Sequence, residues 1–378
     1  MEKIKKKVGI ITMHKVVNYG SALQAYALQR KIDDLGFESF LIDYTYPNEY
    51  HLSERTIKLS IRKIIKVICV RLFFFLFYKK KKQLQLFNQF WKNNFQLTEI
   101  YRNKKEIFDN PPDFDVYVTG SDQVWNPVHM KGDPTFFCDF VKNGNKRISY
   151  AASFSSGDID INYKLAYREY LNKYAFISVR ENKGVDVVNN LIRKDAICVC
   201  DPTLLLTKDE YSHLSNQSTL NIDKPYILAY ILNYNFNPYP TIQEVIDKIK
   251  RKTKLPVVYL LCNTLNATFK PNSKIISAAG PNEFLWLFQH ASYIVTSSFH
   301  GVAFSLIFEK QFYAVTENTS KDGRIRSLLE ETGTGTRMIL TGDDVDSLSV
   351  DELDYSLVRD KLENYRNKSI EFLQKSLF

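Results

Sequence analysis

The chain has 378 residues, of which 44% are hydrophobic and 25% charged, and its formal net charge at pH 7 is +9. This composition excludes a disordered or collagen-like protein, and the length predicts two domains. Five cysteines in a chain of this length do not form a disulfide framework, so we expect a reducing, cytoplasmic environment. The opening sequence MEKIKKKVGIITMH lacks the apolar stretch and cleavage site of a secretory signal and is predicted to contain the first strand.

The positive charge is concentrated in one segment. Between Arg55 and Thr98 there are eleven Lys and Arg residues and no Asp or Glu, which leaves 40 of the 51 basic residues against 42 acidic ones in the rest of the chain. Because the remainder is close to neutral, we expect no nucleic-acid partner.

The same segment predicts a helix on a membrane surface. Isoleucines recur at helical spacing among basic residues from residue 57 onward, and an aromatic block and four lysines follow. The apolar run at 72–78 is too short to span a bilayer, but the pattern is typical of an amphipathic helix on an anionic surface. The alternative is a helical hairpin that packs on its own domain. The predicted membrane-contact residues are Arg62, Lys63, Lys66, Phe73, Phe74, Phe75, Lys79, Lys80, Lys81 and Lys82.

Candidate strands and helices alternate along the chain, which predicts βα units and mainly parallel sheets. The first series has candidate strands at KVGIITM, SFLIDY, DVYVTGS, RISYAAS, FISVRE and AICVCDP. A polar stretch at 208–224 is predicted to be a linker, and a second series follows with YILAYIL, VVYLLC, KIISAAG, YIVTSS and QFYAV. Two such series predict an α/β protein with two Rossmann-like domains that face a central cleft.

The predicted domain boundaries follow these two series. An N-terminal Rossmann-like domain at 1–208 contains the basic segment as an insertion at 55–98, and a C-terminal Rossmann-like domain covers 224–350. Residues 351–378 are predicted to form a helix that could cross back to the first domain.

Several widely used catalytic and cofactor-binding motifs are absent from the sequence. There is no G-x-G-x-x-G after a strand, no Walker loop, no G-x-S-x-G and no H-E-x-x-H. The six histidines are far apart, and Cys198 and Cys200 are predicted to be buried thiols in a strand. We therefore predict no metal site.

Polar residues gather where two predicted strands of the first series end, which is where parallel sheets bind ligands. The segment NYGS at 18–21 contains a glycine that lets backbone N–H groups approach an anion or a sugar hydroxyl; the alternative is a tight turn with a helix cap. The segment TGSDQVWNP at 119–127 combines side chains suited to hydroxyl binding and stacking on a sugar; the alternative is an Asx-turn with a packed tryptophan.

Two further strand ends carry cationic side chains. Arg180 terminates an apolar strand, and its guanidinium can bind a carboxylate or phosphate in a bidentate manner; the alternative is a local ion pair with Glu181. His300 begins a predicted helix, where anions are favoured and a histidine can donate a proton near neutral pH. The alternative there is a histidine that caps the helix or packs in the turn.

The segments that carry these residues occur in a particular order between residue 18 and about residue 337. They are NYGSALQAYAL, VTGSDQVWNP, ISYAASF, ISVRENKG, CDPTLLL, VTSSFHGVAFSLIF and GRIRSLLEETG. In this combination the sequence resembles the polysaccharide pyruvyl transferase family. The resemblance implies a GT-B-like pair of domains and transfer of pyruvate from phosphoenolpyruvate onto two hydroxyls of a hexose, with formation of a cyclic ketal and release of phosphate. It implies no metal or organic cofactor.

The resemblance also implies roles for individual residues. Arg180 matches the arginine that holds the anionic groups of the donor, and His300 matches the donor-site histidine. Some members have Arg-Leu-His where this chain has Ser-Phe-His at 298–300, so one arginine is missing; we predict that Arg324 supplies its charge, with Arg326 as second choice. The predicted donor-binding residues are Arg180, Ser298, Phe299, His300, Gly301 and Arg324. The predicted acceptor-binding residues are Asn18, Tyr19, Gly20, Ser121, Gln123, Trp125 and Asn126.

The implied reaction requires an acid and a group that deprotonates the attacking hydroxyl. We predict His300 as the acid and Asp122 as the base, with the alternative that Asp122 only orients the sugar. The expected acceptor is a polymeric or polyprenyl-diphosphate-linked glycan. Such an acceptor would give the basic segment a role in docking on the inner face of the bacterial cell membrane.

Two other functions stay open on the sequence alone. A GT-B-type nucleotide-sugar glycosyltransferase would need a ribose-binding carboxylate in the second domain, and none is evident after His300. A non-catalytic glycan- or lipid-carrier-binding relative is favoured only by the missing arginine at 298.

Overall fold

The structure is a computed structural model that describes residues 5–47, 67–142, 144–155, 159–192, 195–223, 225–233, 236–261, 273–317 and 323–378, with the side chains of 67–78 left out. Its first sheet is parallel and has the strand order β3-β2-β1-β4-β5. The strands are β1 Lys7–Ile11, β2 Glu38–Tyr44, β3 Leu97–Tyr101, β4 Val116–Thr119 and β5 Lys146–Ser149. A bridge between Ile148 and Phe176 leads on to a parallel pair, β6 Ser178–Val179 and β7 Ile197–Cys198.

Seven helices accompany these strands in the described part of the chain. They are α1 Tyr19–Asp34, α2 Val67–Asn94, α3 Lys104–Asp109, α4 Pro127–Met130, α5 Ile161–Leu171, α6 Asn182–Ile192 and α7 Lys208–Ser215. The predicted linker at 208–224 is wrong in its first half, because Thr207 and Glu210 form a reciprocal capping box that begins α7.

The second sheet is also parallel and has the order β10-β9-β8-β11-β12-β13. Its strands are β8 Ile227–Tyr230, β9 Val257–Leu260, β10 Lys274–Ile276, β11 Tyr293–Thr296, β12 Gln311–Thr316 and β13 Met338–Leu340. The accompanying helices are α8 Thr241–Thr253, α9 Pro281–His290, α10 Phe299–Ile307, α11 Arg324–Glu331 and α12 Tyr355–Leu377. Both sheets show the strand order of a Rossmann fold, so the predicted pair of Rossmann-like domains is confirmed.

The two domains share one hydrophobic core beside the cleft. Tyr19 from α1 is fully buried, with its ring stacked 4.9 Å from Phe284 of α9 and 5.5 Å from Phe87 of α2. The described half of α2 buries Gln83, Phe87, Phe90 and Trp91 in a helical stripe. The C-terminal half of α2 therefore joins the two domains.

The structure describes only some of the residues predicted to contact the membrane. Arg62, Lys63 and Lys66 lie outside the described residues, as do the side chains of Phe73, Phe74 and Phe75. Lys79 is half-buried, and Lys80, Lys81 and Lys82 are exposed on α2. Within the described ranges, none of the helices combines the length and apolar character that a membrane crossing requires.

The last helix, α12, contacts both domains. Tyr355 at its start donates a hydrogen bond to the backbone oxygen of Lys310 in the second domain. Further along, the Ser369 hydroxyl accepts a 2.9 Å hydrogen bond from the Cys200 backbone N–H, and the ring of Phe378 lies 5.0 Å from that of Phe37 in the first domain. The helix thus limits how far the two domains can separate.

Candidate active site

The carboxyl ends of parallel strands bring four ionisable residues together at the cleft. Asp122 follows β4, Arg180 follows β6 and Asp201 follows β7, all in the first domain. His300 lies in the first turn of α10, directly after β11 of the second domain. Residues that are far apart in sequence thus form one cluster between the domains.

Asp201 and Arg180 form the buried centre of this cluster. Asp201 Oδ2 accepts a 2.8 Å hydrogen bond from Arg180 Nη1, while its Oδ1 accepts two from the backbone N–H and hydroxyl of Thr203. Burial acts to raise the pKa of Asp201, but the adjacent His300 and Arg180 outweigh it and hold that pKa well below its ordinary value. Asp201 is therefore ionised and fixes one edge of the guanidinium.

His300 faces the same carboxylate from the other domain. Its Nε2 lies 3.7 Å from Asp201 Oδ2 and has no hydrogen-bond partner among the described residues. The approach requires Gly20 at the start of α1, because a Cβ at this position would lie 2.0 Å from His300 Nδ1. Only glycine leaves room for the imidazole at this contact.

Arg180 presents unused hydrogen-bond donors inside the cluster. Its residue surface is only 2% exposed, yet Nε and Nη2 have no hydrogen-bond partner within the described part of the chain. Nη2 lies 3.6 Å from Asp122 Oδ1, and the guanidinium lies 4.8 Å from the centre of the Phe299 ring. Buried donors are normally satisfied, so two open ones on a guanidinium indicate a site for an anionic ligand.

Asp122 is held in place by contacts on both oxygens. Oδ2 accepts a 2.5 Å hydrogen bond from the Ser21 hydroxyl, and Oδ1 accepts one of 2.9 Å from the Gln123 backbone N–H. Burial acts to raise its pKa, but the charge of Arg180, the adjacent His300 and the Ser21 hydrogen bond bring the pKa below its ordinary value. These contacts favour a carboxylate that orients other groups over one that takes up a proton.

Glu181 does not form the local ion pair with Arg180 that was the alternative interpretation of this strand end. Its Oε1 accepts hydrogen bonds from the Ser153 hydroxyl and from the backbone N–H groups of Phe154 and Ser155. Burial raises the pKa of this carboxyl above its ordinary value, and the charge of Arg180 offsets only part of the effect.

Arg324 and His129 complete the electrostatic environment. Arg324 is buried at the start of α11, and its charge acts on both Glu181 and His129, whereas Arg326 is exposed. Burial and the charge of Arg324 lower the pKa of His129, so this histidine is neutral near pH 7. Arg324 is therefore the better placed of the two candidates for the charge that is missing at 298.

The sequence model of the polysaccharide pyruvyl transferase family matches residues 18–319. This range contains the cluster from Gly20 to His300. The chain belongs to the polysaccharide pyruvyl transferase family. No curated protein was found to match it.

Solved structures similar to this pyruvyl transferase family member include three UDP-GlcNAc 2-epimerases. The Methanocaldococcus jannaschii enzyme in complex with UDP-GlcNAc and UDP has a TM-score of 0.50 at 13% identity, with 98% of this chain and 99% of that chain covered. The Neisseria meningitidis enzyme bound to UDP-GlcNAc has a TM-score of 0.52 at 9% identity, covering 98% and 99%. A putative one from Listeria monocytogenes has a TM-score of 0.51 at 12% identity, covering 98% and 91%. These similarities confirm the predicted GT-B-like fold.

Two aromatic residues predicted to bind the acceptor lie in the protein interior. Trp125 is fully buried, with its ring 5.5 Å from the nearly parallel Phe137 ring and its Nε1 donating to the Phe136 backbone oxygen. Tyr19 is equally buried in the core between the domains. The prediction that Tyr19 and Trp125 face a sugar is therefore wrong, and Trp125 is instead the packed tryptophan of the alternative interpretation.

Most other predicted residues shape the turns around the cluster. Asn18 caps α1 by accepting from the N–H groups of Gly20 and Ser21, and Ser298 caps α10 by accepting from the N–H of Gly301. Gly301 itself packs against Thr296. The remaining members lie beside Asp122: Ser121 donates to Ala151 O, and Asn126 donates to Gln123 Oε1.

No site role was predicted for Asp201, Ser21 or His129, and Glu181 was considered only as the partner of Arg180 in a local ion pair. The position of Asp201 could have indicated a role, because it comes just after the last strand of the first series. Asp122 and Arg180 likewise follow strands of that series. No group of three or more His, Cys, Asp and Glu side chains that could hold a metal ion occurs among the described residues.

Proposed function

We propose that this protein transfers pyruvate from phosphoenolpyruvate onto two hydroxyls of a hexose, forming a cyclic ketal and releasing phosphate. Membership of the pyruvyl transferase family supports the class of reaction. The observation that carries the choice of donor is the buried Arg180, whose Nε and Nη2 are open in a cluster with His300 and Arg324 close by. Phosphoenolpyruvate carries a carboxylate and a phosphate, and such groups need several cationic partners.

Burial strengthens each of these contacts. Arg180 is anchored through Nη1 to Asp201, which fixes the orientation of its other N–H groups. The side chain therefore loses little conformational entropy when a ligand binds. Phe299 supports the flat face of the guanidinium. The first turn of α10 adds the positive end of a helix dipole beside His300. An anion that binds here replaces its hydrogen bonds to water with hydrogen bonds to donors whose positions are already fixed.

The proposed reaction uses these groups in two steps. His300 protonates the methylene carbon of the donor, which becomes a methyl group, and a sugar hydroxyl bonds to the adjacent carbon. A second hydroxyl then attacks the same carbon, the bond to the phosphate oxygen breaks, and the ketal ring closes. Of the two hydroxyl protons, one restores His300 and the other leaves with phosphate. Asp122, held by Ser21, orients the hydroxyls.

Asp201 acts as a positioning residue in this scheme. It contacts both Arg180 and His300, which belong to different domains, and its lone pairs on Oδ1 are occupied by Thr203. It therefore sets the distance between the group that binds the donor and the group that supplies the proton.

The acceptor belongs to the same proposal. A hexose in a polyprenyl-diphosphate-linked or polymeric glycan would be met at the inner face of a bacterial cell membrane. The exposed Lys80, Lys81 and Lys82 on α2 provide a charged surface suited to anionic lipid. The protein would then act from the cytoplasm as a peripheral enzyme.

Thermal stabilisation by candidate donors tests the proposal. The melting temperature is measured with phosphoenolpyruvate, UDP-sugars and GDP-sugars, for the wild type and for His300→Ala. Stabilisation by phosphoenolpyruvate that the variant loses supports the proposed donor. Stabilisation by a nucleotide sugar alone supports a glycosyltransferase, and binding without turnover of any glycan acceptor supports a non-catalytic relative.

A further inference from the structure

Glu181 is a buried carboxyl group with one oxygen that is fully occupied and one that is open. Oε1 accepts hydrogen bonds of 3.1, 2.9 and 3.1 Å from Ser153 Oγ, Phe154 N and Ser155 N. Oε2 has no partner in the described part of the chain, and the residue is only 1% exposed. Because three donors already point at Oε1, a proton on this carboxyl group resides on Oε2, where it is free to be donated.

The open oxygen belongs to a residue that adjoins the proposed donor site. Glu181 follows Arg180 directly in the chain, and the charges of Arg180 and Arg324 both act on it. Cys198 of β7 is a further titratable group that interacts with it, and burial raises the pKa of that thiol to about 12, so Cys198 is neutral. Among the described residues, the titratable groups that act on Glu181 thus include two guanidinium ions and a neutral thiol.

The charge balance of the cluster favours a neutral Glu181 when an anion is bound. Asp122 and Asp201 already supply two negative charges beside Arg180. An ionised Glu181 would add a third and would present a lone pair, not a donor, to an incoming anion. A protonated Glu181 removes that repulsion and supplies a hydrogen bond.

We infer that Glu181 binds the donor substrate as a neutral carboxylic acid and donates a hydrogen bond from Oε2 to an anionic oxygen of phosphoenolpyruvate. The inference rests on the proposed function and deepens it. No bond of the substrate changes in this step: above the pKa of the free carboxyl, Glu181 takes up one proton from solvent on binding, which forms the O–H group on Oε2, and returns it when the site empties.

The test is the pH dependence of phosphoenolpyruvate affinity for the wild type, Glu181→Gln and Ser153→Ala, measured by calorimetry from about pH 6 to about pH 9. Glutamine keeps an oxygen for the three donors and offers an N–H₂ group that cannot ionise. We expect Glu181→Gln to match the wild type at low pH. Once Glu181 ionises, the wild type should lose affinity relative to the variant by about tenfold per pH unit.

Ser153→Ala is the matched control, because it removes one bond to Oε1 and leaves Oε2 intact; its pH profile should have the slope of the wild type. Parallel profiles for the wild type and Glu181→Gln would overturn the inference. So would loss of affinity at low pH in a Glu181→Gln protein with an unchanged melting temperature. Failure of the wild type to bind phosphoenolpyruvate at every pH would instead overturn the proposed function, and this inference with it.

Discussion

His300 Nε2 lies 3.7 Å from Asp201 Oδ2, so that an imidazole of the second Rossmann-like domain faces a carboxylate of the first. The same carboxylate oxygen accepts a hydrogen bond from Arg180. One buried anion therefore connects the residue proposed to bind the donor with the residue proposed to protonate it. This arrangement ties the geometry of the site to the relative position of the two domains.

Asp201→Asn is expected to lower the free energy of unfolding by about 3–5 kcal/mol at pH 7, because Arg180 would lose the nearer of its two buried carboxylates. The native pKa of Asp201 is depressed, so its stabilising contribution is complete above the unfolded value of about 3.9 and is lost as the pH falls towards the native pKa. Urea denaturation at pH 7 and at low pH measures the difference. The difference in the free energy of unfolding between the wild type and Asp201→Asn should become smaller at low pH.

Asp209→Asn is the control for this comparison, since Asp209 is exposed in the first turn of α7. Its effect should stay within about 0.5 kcal/mol at any pH. An Asp201→Asn protein as stable as the wild type at pH 7 would show that the buried pair does not stabilise the fold.

Gly20→Ala should impair donor binding without unfolding the protein. The added Cβ would lie 2.0 Å from His300 Nδ1, so the imidazole must move. Alanine is otherwise a better helix former than glycine by roughly 0.5–1 kcal/mol. We expect phosphoenolpyruvate affinity to fall by about tenfold, or 1.4 kcal/mol, at a nearly unchanged melting temperature.

Gly335→Ala provides the comparison for that variant, because a Cβ at Gly335 meets nothing within 4 Å. It should bind phosphoenolpyruvate as the wild type does. If Gly20→Ala bound phosphoenolpyruvate as tightly as the wild type, His300 would not be part of the donor site.

Phe87→Ala should destabilise the whole molecule. Phe87 is fully buried against Tyr19, which also stacks on Phe284 of the second domain. Loss of this ring leaves a cavity in the shared core and should lower the free energy of unfolding by about 3–5 kcal/mol. The control on the same helix is Leu84→Ala, because Leu84 is 44% exposed. A similar small loss in both variants would mean that α2 does not join the domains.

The sequence patterns were sufficient for most of the sheet positions. Buried strands such as β1 and β11 are short apolar runs bounded by polar residues. Runs of this length and composition are typical of buried parallel strands. The edge strands β3 and β13 were not predicted, because β3 is largely solvent-facing and β13 has only three residues. Short edge strands often bury too little to leave a clear pattern, although the equally short edge strand β10 was predicted within KIISAAG.

The sequence predicted that Asp122, Arg180 and His300 lie at strand ends beside the cleft, but it missed Asp201 and placed two buried aromatic side chains at the acceptor site. Arg180 and His300 each follow a strand, so chain order alone brings them to the cleft. Whether Trp125 faces a sugar or a protein ring depends on Phe137 and Phe154, whose positions are set by tertiary packing. The pairing of Asp201 with His300 likewise depends on the contact between the domains.

Neutralising the exposed lysines of α2 tests the membrane surface. The triple change of Lys80, Lys81 and Lys82 to Gln should reduce co-sedimentation with vesicles rich in phosphatidylserine, since each basic residue contributes about 1 kcal/mol near such a surface. The control triple replaces Lys250, Arg251 and Lys254, which are exposed around the end of α8. An equal loss in both triples would indicate a general charge effect and contradict a dedicated surface.

Calorimetric titration of phosphoenolpyruvate into the wild type and Arg180→Lys tests the proposed donor site directly. Lysine keeps the positive charge and loses the fork of donors that Arg180 directs through Nε and Nη2. We expect saturable binding to one site per chain in the wild type, with an affinity at least about tenfold weaker in the variant. Absence of binding to the wild type, or equal binding to both proteins, would contradict the proposed donor site.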